Sequence, residues 1–404
     1  MIDSAVVVCP GTDAPEASLL KLHVAGLPLL LRILLTARQA GIERFLVVAS
    51  APQQRWLRPQ LDAEAQLEGR IRWLEPTEAF AAPADSLLLL PSVLLDSTAL
   101  RSWLARVAPN GSLASPEPGI GPTAVPAAHL PACLEAALGG ESGLERYLRQ
   151  VQRDCGLRHV PWEGASWQPI RSPQEVPGIE RRMIEAFRSA EDGPIVDRCV
   201  NRPLAAYLSR RLVASRVTPN QITLASLLTG LLGAWTLHFD GFPTSLVGLL
   251  LFQLSVVLDH VDGEVARLKF QFSRLGKWLD NVSDQAVGLA VIGCLTWRVA
   301  VNGTIKHLAV LGLAAALGVT GAFLIVFWWS LSGQRLEARL TTTAKLVARS
   351  LSTLANRDGF SLALWATLPL DRPTWFLWAL ALGANAYWLA WLLVYGLPSP
   401  ASRR

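Results

Sequence analysis

The second half of the chain consists largely of apolar segments long enough to cross a lipid bilayer. Residues 1–190 carry most of the Asp and Glu, whereas residues 218–397 are mostly long apolar runs. A helix needs about 20 consecutive apolar residues to span the hydrocarbon core. We therefore predict an all-α membrane domain of six transmembrane helices. Their expected bounds are 218–237, 244–265, 275–299, 307–331, 358–371 and 374–395, of which the fifth is short for a span.

Four aspartates interrupt this apolar region within one short stretch. The sequence from Leu258 to Gln285 reads D-x2-D-G-x2-A-R-x8-G-x3-D-x3-D, and apolar sequence flanks it on both sides. Ionisable side chains are costly in such surroundings and usually serve a function. The fixed positions of the pattern are Asp259, Asp262, Gly263, Ala266, Arg267, Gly276, Asp280 and Asp284.

The spacing of the four aspartates predicts that their side chains converge. Within helices, Asp259 and Asp262 lie one turn apart on one face, and Asp280 and Asp284 lie one turn apart on another. If the two faces meet, the carboxylates cannot all stay ionised unless cations lie among them. Mg²⁺ or Mn²⁺ would suit the oxygen ligands, and Mg²⁺ commonly shares its ligand shell with substrate phosphates. The sequence therefore indicates a divalent-metal site for a phosphate-containing substrate.

The complete pattern resembles the signature of the CDP-alcohol phosphatidyltransferase family. The resemblance implies transfer of a substituted phosphate from a CDP-linked donor, such as CDP-diacylglycerol, to an alcohol, with release of CMP, in phospholipid biosynthesis. It also implies a homodimer and two Mg²⁺ or Mn²⁺ ions bound by the four aspartates, with Asp284 serving in addition as the general base. The residues expected to bind the donor are Asn220, Thr223, Gly263, Ala266, Arg267, Ser273 and Gly276.

Other interpretations of the same residues stay open. The aspartates could pair with Arg267, Lys269 and neighbouring basic residues at a membrane end, or could form the carboxylate relay of a transporter. The membrane helices could also serve only as an anchor for a regulatory soluble domain. Glycines outside the pattern are expected to allow close helix contact. These glycines are Gly230, Gly233, Gly312, Gly318 and Gly321.

Residues 1–190 alternate between short apolar runs and helical stretches. Predicted strands are Ala5–Cys9, Phe45–Ala49, Arg70–Leu74 and Ser86–Leu90, and predicted helices are 28–40, 53–67, 97–107 and 141–154. Residues 110–126 are rich in Gly, Pro and Ser and are predicted to form a loop. Alternation of strands and helices favours a doubly wound α/β domain.

This domain resembles sugar-phosphate nucleotidyltransferases and, among them, inositol-phosphate cytidylyltransferases. The phrases that carry the resemblance are VAGLPLLLRILLTARQAGIERFLVV and WQPIRSPQEVPGIERRMIEAF. In related two-domain enzymes such a domain makes the CDP-alcohol that the membrane domain consumes, so a bifunctional enzyme is an alternative. However, the first loop has Gly11 as its single glycine, and Pro91 and Ser92 stand near the expected place of the metal-binding Asp, with Asp96 several residues late. We therefore predict a non-catalytic domain.

Residues 191–217 link the two predicted domains. Five arginines accompany apolar residues at helical spacing, which is typical of a helix that lies in the membrane interface. The apolar residues are Val200, Leu204, Tyr207, Leu208 and Leu212.

The distribution of positive charge predicts the orientation in the membrane. Lys and Arg cluster in 191–217, in the 266–277 turn and in the 333–357 loop, whereas 238–243 has none. The positive-inside rule places these clusters and the soluble domain in the cytoplasm, which indicates a protein of the inner membrane. The net charge of +5 clusters beside apolar runs and does not indicate nucleic-acid binding. The acceptor stays open: the soluble domain favours inositol or inositol phosphate, and glycerol phosphate is also possible.

Overall fold

The structure is a computed structural model, and it describes most of the chain. The described residues are 2–11, 14–78, 85–107, 113–116, 121–154, 156–163, 168–189, 197–301, 305–331 and 357–395. The chain divides into two units, Met1–Met183 and Ile184–Arg404. The basic loop predicted at 333–357 lies outside the described residues, except for Arg357.

A seven-stranded sheet forms the centre of the first unit, in the order β10-β8-β9-β6-β1-β4-β5. Its strands are β1 (Ser4–Val8), β4 (Arg44–Val48), β5 (Ile71–Leu74), β6 (Ser86–Leu89), β8 (Leu113–Ser115), β9 (Thr123–Val125) and β10 (Leu157–His159). Two further pairs are β2 (His23–Val24) with β3 (Leu27–Pro28), and β7 (Val93–Leu94) with β11 (Gln168–Pro169). The helices are α1 (Leu29–Gln39), α2 (Ala51–Leu61), α3 (Ser97–Arg106), α4 (Leu130–Leu138), α5 (Gly140–Arg153) and α6 (Val176–Ser189).

The central strands confirm the predicted α/β class. β1 pairs in parallel with β4 on one side and with β6 on the other, and its side chains from Ala5 to Val8 are fully buried. Continuous apolar strands of this kind are typical of a parallel sheet covered on both faces. The predicted α/β domain is therefore present, with α1 between β1 and β4 and α2 between β4 and β5.

The prediction that residues 110–126 form a loop was wrong in part. Residues Leu113–Ser115 and Thr123–Val125 are the buried strands β8 and β9, and β9 runs antiparallel to both β6 and β8. Glycine and proline around these segments indicated turns, but each strand is only three residues long. Pairing with strands distant in sequence, β9 with β6 and β8 with β10, fixes their conformation, and no local pattern could reveal it.

The second unit is helical. It begins with a π-helical turn at Asp197–Asn201 and continues with α7 (Arg202–Val213), α8 (Pro219–Leu237), α9 (Phe242–Lys269), α10 (Arg274–Val301), α11 (Ile305–Leu331), α12 (Arg357–Thr367) and α13 (Pro373–Tyr395). Within the described residues, four helices (α9, α10, α11 and α13) are long and apolar enough to cross a membrane. The six predicted segments are all helical, but the six-span count is confirmed only in part. α12 has 11 residues, too few for a hydrocarbon core about 30 Å thick.

Glycines set the distance between the membrane helices, as the sequence predicted. A Cβ at Gly233 of α8 would lie 2.9 Å from the backbone nitrogen of Phe252 in α9. A Cβ at Gly230 would lie 2.7 Å from the Val287 side chain in α10. Gly318 and Gly321 of α11 likewise face side chains of α13. Small residues therefore let α8 approach both helices that carry the aspartates.

A buried arginine near the end of α10 joins three parts of the second unit. Arg298 donates through Nε to Asp240 at 2.8 Å, through Nη1 to the Ser245 hydroxyl at 2.8 Å, and through Nη2 to Asp371 at 3.2 Å. These partners belong to the α8–α9 junction, the start of α9 and the α12–α13 turn. Arg298 lies at the opposite end of α10 from Asp280 and Asp284, so it stabilises the bundle away from the aspartates.

We expect Arg298→Met to lower the free energy of unfolding by about 1–3 kcal/mol, because three charge-assisted or neutral hydrogen bonds are lost. The cost stays moderate because the Asp240 and Asp371 side chains are 59% and 86% exposed and remain hydrated. Thermal unfolding in detergent measures the effect. Arg372→Met, at an exposed position of the same turn, is the matched control and should change stability by less than about 0.5 kcal/mol.

Candidate active site

Three of the four predicted metal ligands converge between α9 and α10. Asp259, Asp280 and Asp284 each offer one carboxylate oxygen, and these oxygens lie within 4.8 Å of one another. All three side chains are half-buried. Such a spacing is suited to a hard cation with oxygen ligands, and like charges at this range need a cation to stay ionised together.

Asp262 lies one turn further along α9 and is held by α8. Its Oδ2 accepts a hydrogen bond from the hydroxyl of Thr223, and the two residues are 6% and 3% exposed. Thr223 was predicted to bind the donor, which stays a prediction, and in the structure its hydroxyl contacts a predicted metal ligand. Asp262 is outside the set of three carboxylates whose oxygens lie within 4.8 Å of one another, and its Oδ2 is engaged by Thr223.

Three of the predicted donor-binding residues come together where α8 and α10 begin. A Cβ at Gly276 would lie 2.9 Å from both Asn220 Oδ1 and Ser273 Oγ. The Ser273 hydroxyl accepts a hydrogen bond from the backbone N–H of Gly276 at 2.8 Å. Asn220 and Ser273 are exposed. The first turns of two helices therefore present polar groups to solvent beside the aspartates.

The remaining predicted donor-binding residues lie on the last turns of α9. Gly263 and Ala266 are half-buried, and the guanidinium of Arg267 lies beside Gly263, since a Cβ there would be 3.9 Å from Arg267 Nη2. This is ordinary van der Waals distance, so the protein alone leaves room for a methyl group at residue 263. A requirement for glycine there would have to come from a bound ligand.

We expect Gly263→Ala to leave folding intact, or to stabilise the helix by up to about 1 kcal/mol, while raising the KM for a CDP-linked donor about tenfold or more. Gly293→Ala in α10 is the matched control, because a Cβ there meets nothing within 4 Å. Thermal unfolding and steady-state kinetics separate the two effects. Unchanged kinetics in Gly263→Ala would show that no ligand approaches this backbone.

The chemistry of the donor set fits a divalent metal of the Mg²⁺ or Mn²⁺ class. The ligand atoms are carboxylate oxygens from two rigid helices, and within the described residues no cysteine or histidine belongs to the cluster. Oxygen-only ligand sets favour Mg²⁺, Mn²⁺ or Ca²⁺ over zinc or copper. The predicted ligands that would hold the metal are Asp259, Asp262, Asp280 and Asp284.

Comparison with known proteins agrees with the geometry. The family described as CDP-alcohol phosphatidyltransferase matches residues 216–395, a range that contains every predicted site residue. The chain carries a CDP-alcohol phosphatidyltransferase domain. That range includes all four helices that, within the described residues, are long and apolar enough to cross a membrane.

Curated relatives match this chain over part of their length. A "Bifunctional IPC transferase and DIPP synthase" of Thermococcus kodakarensis is 34% identical over 136 residues, covering 33% of this chain and 30% of that protein. A "Cardiolipin synthase (CMP-forming)" of Streptomyces coelicolor is 36% identical over 83 residues, covering 20% of this chain and 39% of that protein. The chain therefore matches less than half the length of either relative.

Among the solved structures that match, one covers 45% of this chain. It is a 4-diphosphocytidyl-2C-methyl-D-erythritol synthase of Anaerococcus prevotii, with 14% identity, a TM-score of 0.33 and coverage of 98% of its own chain. A likeness at that score supports no conclusion about function, and the α/β architecture described above rests on the strands and helices themselves.

An arginine that the sequence did not single out contacts the aspartate cluster. The Nη1 of Arg357, at the start of α12, lies 2.7 Å from Asp259 Oδ1, 2.9 Å from Asp284 Oδ1 and 3.1 Å from the Ser226 hydroxyl. Arg357 ends the basic loop that was predicted to be cytoplasmic and directly precedes an apolar run. That position at a boundary was the one signal that could have revealed it.

The juxtamembrane helix α7 packs on α9 more closely than a surface helix would. Lys269 at the end of α9 donates to the carbonyl oxygens of Ser215 and Val217, at 2.8 and 2.9 Å. Leu208 and Leu212 pack against the buried residues of α9. The five apolar residues therefore divide between two faces, and the position of this helix in the membrane interface stays a prediction. The three that stay exposed are Val200, Leu204 and Tyr207.

A buried ion pair holds the start of this segment. Asp197 accepts from Arg202 Nε at 2.6 Å and lies 3.0 Å from His260 Nε2, next to Asp259 in α9. Burial by itself raises the pKa of Asp197, but the hydrogen bonds and charges of His260 and Arg202 outweigh it, so the pKa lies below its usual value. The carboxylate is therefore ionised at neutral pH and ties the juxtamembrane segment to α9.

Two polar residues of the α/β domain near the predicted position of a metal-binding Asp, Ser92 and Asp96, take part in contacts within that domain. Ser92, directly after β6, donates a hydrogen bond to Glu141 at the start of α5. Burial raises the pKa of Glu141, the Ser92 hydrogen bond lowers it, and the nearby Glu16 raises it again, with a net upward shift. Asp96 caps α3 by accepting from the N–H of Ala99 at 2.8 Å, so it is engaged in local structure.

Proposed function

We propose that the protein is a metal-dependent CDP-alcohol phosphotransferase that moves a substituted phosphate from a CDP-linked donor to a hydroxyl acceptor and releases CMP. The observation that carries the proposal is the convergence of Asp259, Asp280 and Asp284 from two neighbouring helices, with ligand oxygens within 4.8 Å. These three residues lie inside the range that matches the family.

The proposed roles follow from position and chemistry. The four aspartates would hold two Mg²⁺ or Mn²⁺ ions, which neutralise the diphosphate and stabilise the departing CMP. Asp284 would accept the proton of the acceptor hydroxyl, the role that the family resemblance implies for this position. Asn220, Ser273 and Gly276 would contact the cytidine diphosphate from the helix starts, while Gly263, Ala266 and Arg267 would contact it from α9. Thr223 would fix the orientation of Asp262.

The donor and acceptor follow from the relatives and from the resemblance of the soluble domain. CDP-diacylglycerol is the proposed donor, and inositol phosphate or inositol is the favoured acceptor, with glycerol phosphate as a further candidate. The proposed location is the inner membrane, with the aspartates and the α/β domain on the cytoplasmic side, and the proposed assembly is a homodimer. The proposed domain bounds are 1–190, 191–217 and 218–397.

A bifunctional enzyme is the second candidate, because the Thermococcus kodakarensis relative is named as one. In that case the α/β domain would make the CDP-alcohol that the membrane domain uses. The Ser92–Glu141 contact and the single glycine of the first loop speak against it. Incubation with CTP, Mg²⁺ and inositol phosphate, followed by a pyrophosphate assay, decides between the two: the non-catalytic proposal expects no pyrophosphate.

The proposed function is tested with purified protein in detergent. The protein is incubated with CDP-diacylglycerol and one acceptor at a time, namely inositol phosphate, inositol or glycerol phosphate, with Mg²⁺ or with EDTA, and CMP is quantified. We expect CMP release and a new phospholipid with one acceptor in Mg²⁺ and neither product in EDTA. Release that is equally fast in EDTA would contradict the metal-dependent scheme, and its absence with every acceptor would contradict the donor.

A further inference from the structure

The cation closest to the carboxylate cluster is supplied by the chain itself. Arg357 Nη1 lies 2.7 Å from Asp259 Oδ1 and 2.9 Å from Asp284 Oδ1, so a single nitrogen bridges a carboxylate of α9 and a carboxylate of α10. The Ser226 hydroxyl of α8 completes its surroundings at 3.1 Å. The NH2 group of Nη1 therefore lies where oxygens from three helices converge. A metal ion bound by the same oxygens would lie in a similar place.

Burial makes this contact necessary for both partners. The Arg357 side chain is 6% exposed, and a guanidinium stays charged at any physiological pH. A buried charge without a counter-charge is strongly destabilising, and clustered carboxylates need a cation between them. The guanidinium of Arg357 and the carboxylates of Asp259 and Asp284 neutralise part of one another's charge without any other ion.

The remaining nitrogens of Arg357 are not engaged. Its Nε and Nη2 are buried and have no hydrogen-bond partner in the part of the chain that the structure describes. Arg298 provides the contrast, because its Nε, Nη1 and Nη2 each have their own partner. Arg298 is thus fixed because all three of its nitrogens donate hydrogen bonds. Arg357 contacts the predicted metal ligands through Nη1 alone.

We propose that Arg357 is an internal counter-cation of the aspartate cluster, which stabilises the metal-free protein and competes with the divalent ion for Asp259 and Asp284. The inference rests on the metal site of the proposed function. When a divalent ion binds these oxygens, its positive charge repels the guanidinium at the same edge of the cluster. Arg357 therefore has two effects. It stabilises the metal-free protein by neutralising the carboxylates, and it lowers the affinity of the site for a divalent ion.

Mn²⁺ binding to the purified full-length protein in detergent tests the proposal. The free ion is measured by electron paramagnetic resonance for wild type, Arg357→Gln, Arg357→Lys and the exposed control Arg372→Gln. We expect Arg357→Gln to bind Mn²⁺ at least about tenfold more tightly than wild type, because a repulsive unit charge is removed. Arg357→Lys, which keeps the charge, and Arg372→Gln should stay close to wild type.

Thermal unfolding gives a second readout that does not depend on enzymatic activity. In EDTA, Arg357→Gln should unfold at a lower temperature than wild type, and saturating Mn²⁺ should remove that difference. An Arg357→Gln protein that binds Mn²⁺ as wild type does, or more weakly, would overturn the proposal. If wild type releases CMP with Mg²⁺ while Arg357→Gln gains no Mn²⁺ affinity, this inference alone fails. If Arg357→Gln gains affinity but wild type releases no CMP, the proposed function alone fails.

Discussion

Asp284→Asn is expected to lower the rate of CMP release by at least about a thousandfold. The substitution keeps the size of the side chain but removes a charge from the cluster and the proton acceptor from the acceptor hydroxyl. Loss of general-base catalysis by itself typically costs between about a hundredfold and ten-thousandfold. Loss of one carboxylate ligand adds to this, because the remaining oxygens of Asp259 and Asp280 neutralise less of the metal charge.

The measurement is single-turnover release of CMP from CDP-diacylglycerol at saturating Mg²⁺. Asp240→Asn is the matched control: it is the same chemical change on a side chain that is 59% exposed at the other end of α8, and it should release CMP within about twofold of wild type. Full activity in Asp284→Asn would remove Asp284 from the mechanism. Unfolding of the variant in EDTA shows whether its structure is retained.

Gly233→Val is expected to cost about 3 kcal/mol or more of stability, the largest structural effect among the substitutions considered. A Cβ at residue 233 would lie 2.9 Å from Phe252 N and 3.1 Å from Gly248 O, both backbone atoms of α9. Backbone atoms cannot rotate away, so α8 and α9 must separate. Their separation would also shift Thr223 from Asp262, and activity should fall together with stability.

The effect is read from the thermal midpoint and from the fraction of monodisperse protein after purification in detergent. Gly293→Val provides the control, because a Cβ at residue 293 meets nothing within 4 Å and the residue is exposed. A Gly233→Val protein as stable as this control would mean that α8 and α9 are not packed as the structure shows.

The sequence could predict the aspartate cluster because each part of it is local. Two pairs of carboxylates at helical spacing within apolar flanks specify both the face of each helix and the need for a cation. The structure places Asp259, Asp280 and Asp284 within reach of one ion. Asp262 is the member whose surroundings were not predicted, because its hydrogen bond comes from Thr223, 39 residues earlier.

Arg357 and the strands β8 and β9 could not be predicted, for a shared physical reason. Arg357 is 98 residues from Asp259, and as one basic residue among several it had the pattern of solvated charge. β8 and β9 are three residues each, and pairing with a distant strand determines them. In both cases a long-range contact overrides what the neighbouring residues indicate. The division of the apolar residues of α7 between two faces has the same origin, because Leu208 and Leu212 pack against α9.

The most direct test of the central claim asks whether the metal and the donor diphosphate occupy the same site. Mn²⁺ is added below the protein concentration to protein with CDP-diacylglycerol, and the ³¹P resonances of the diphosphate are recorded. We predict strong paramagnetic broadening of both phosphorus signals with wild type, and broadening near the protein-free level with an Asp280→Asn, Asp284→Asn double variant. Equal broadening with wild type and the double variant would contradict the claim that these carboxylates bring the ion to the substrate.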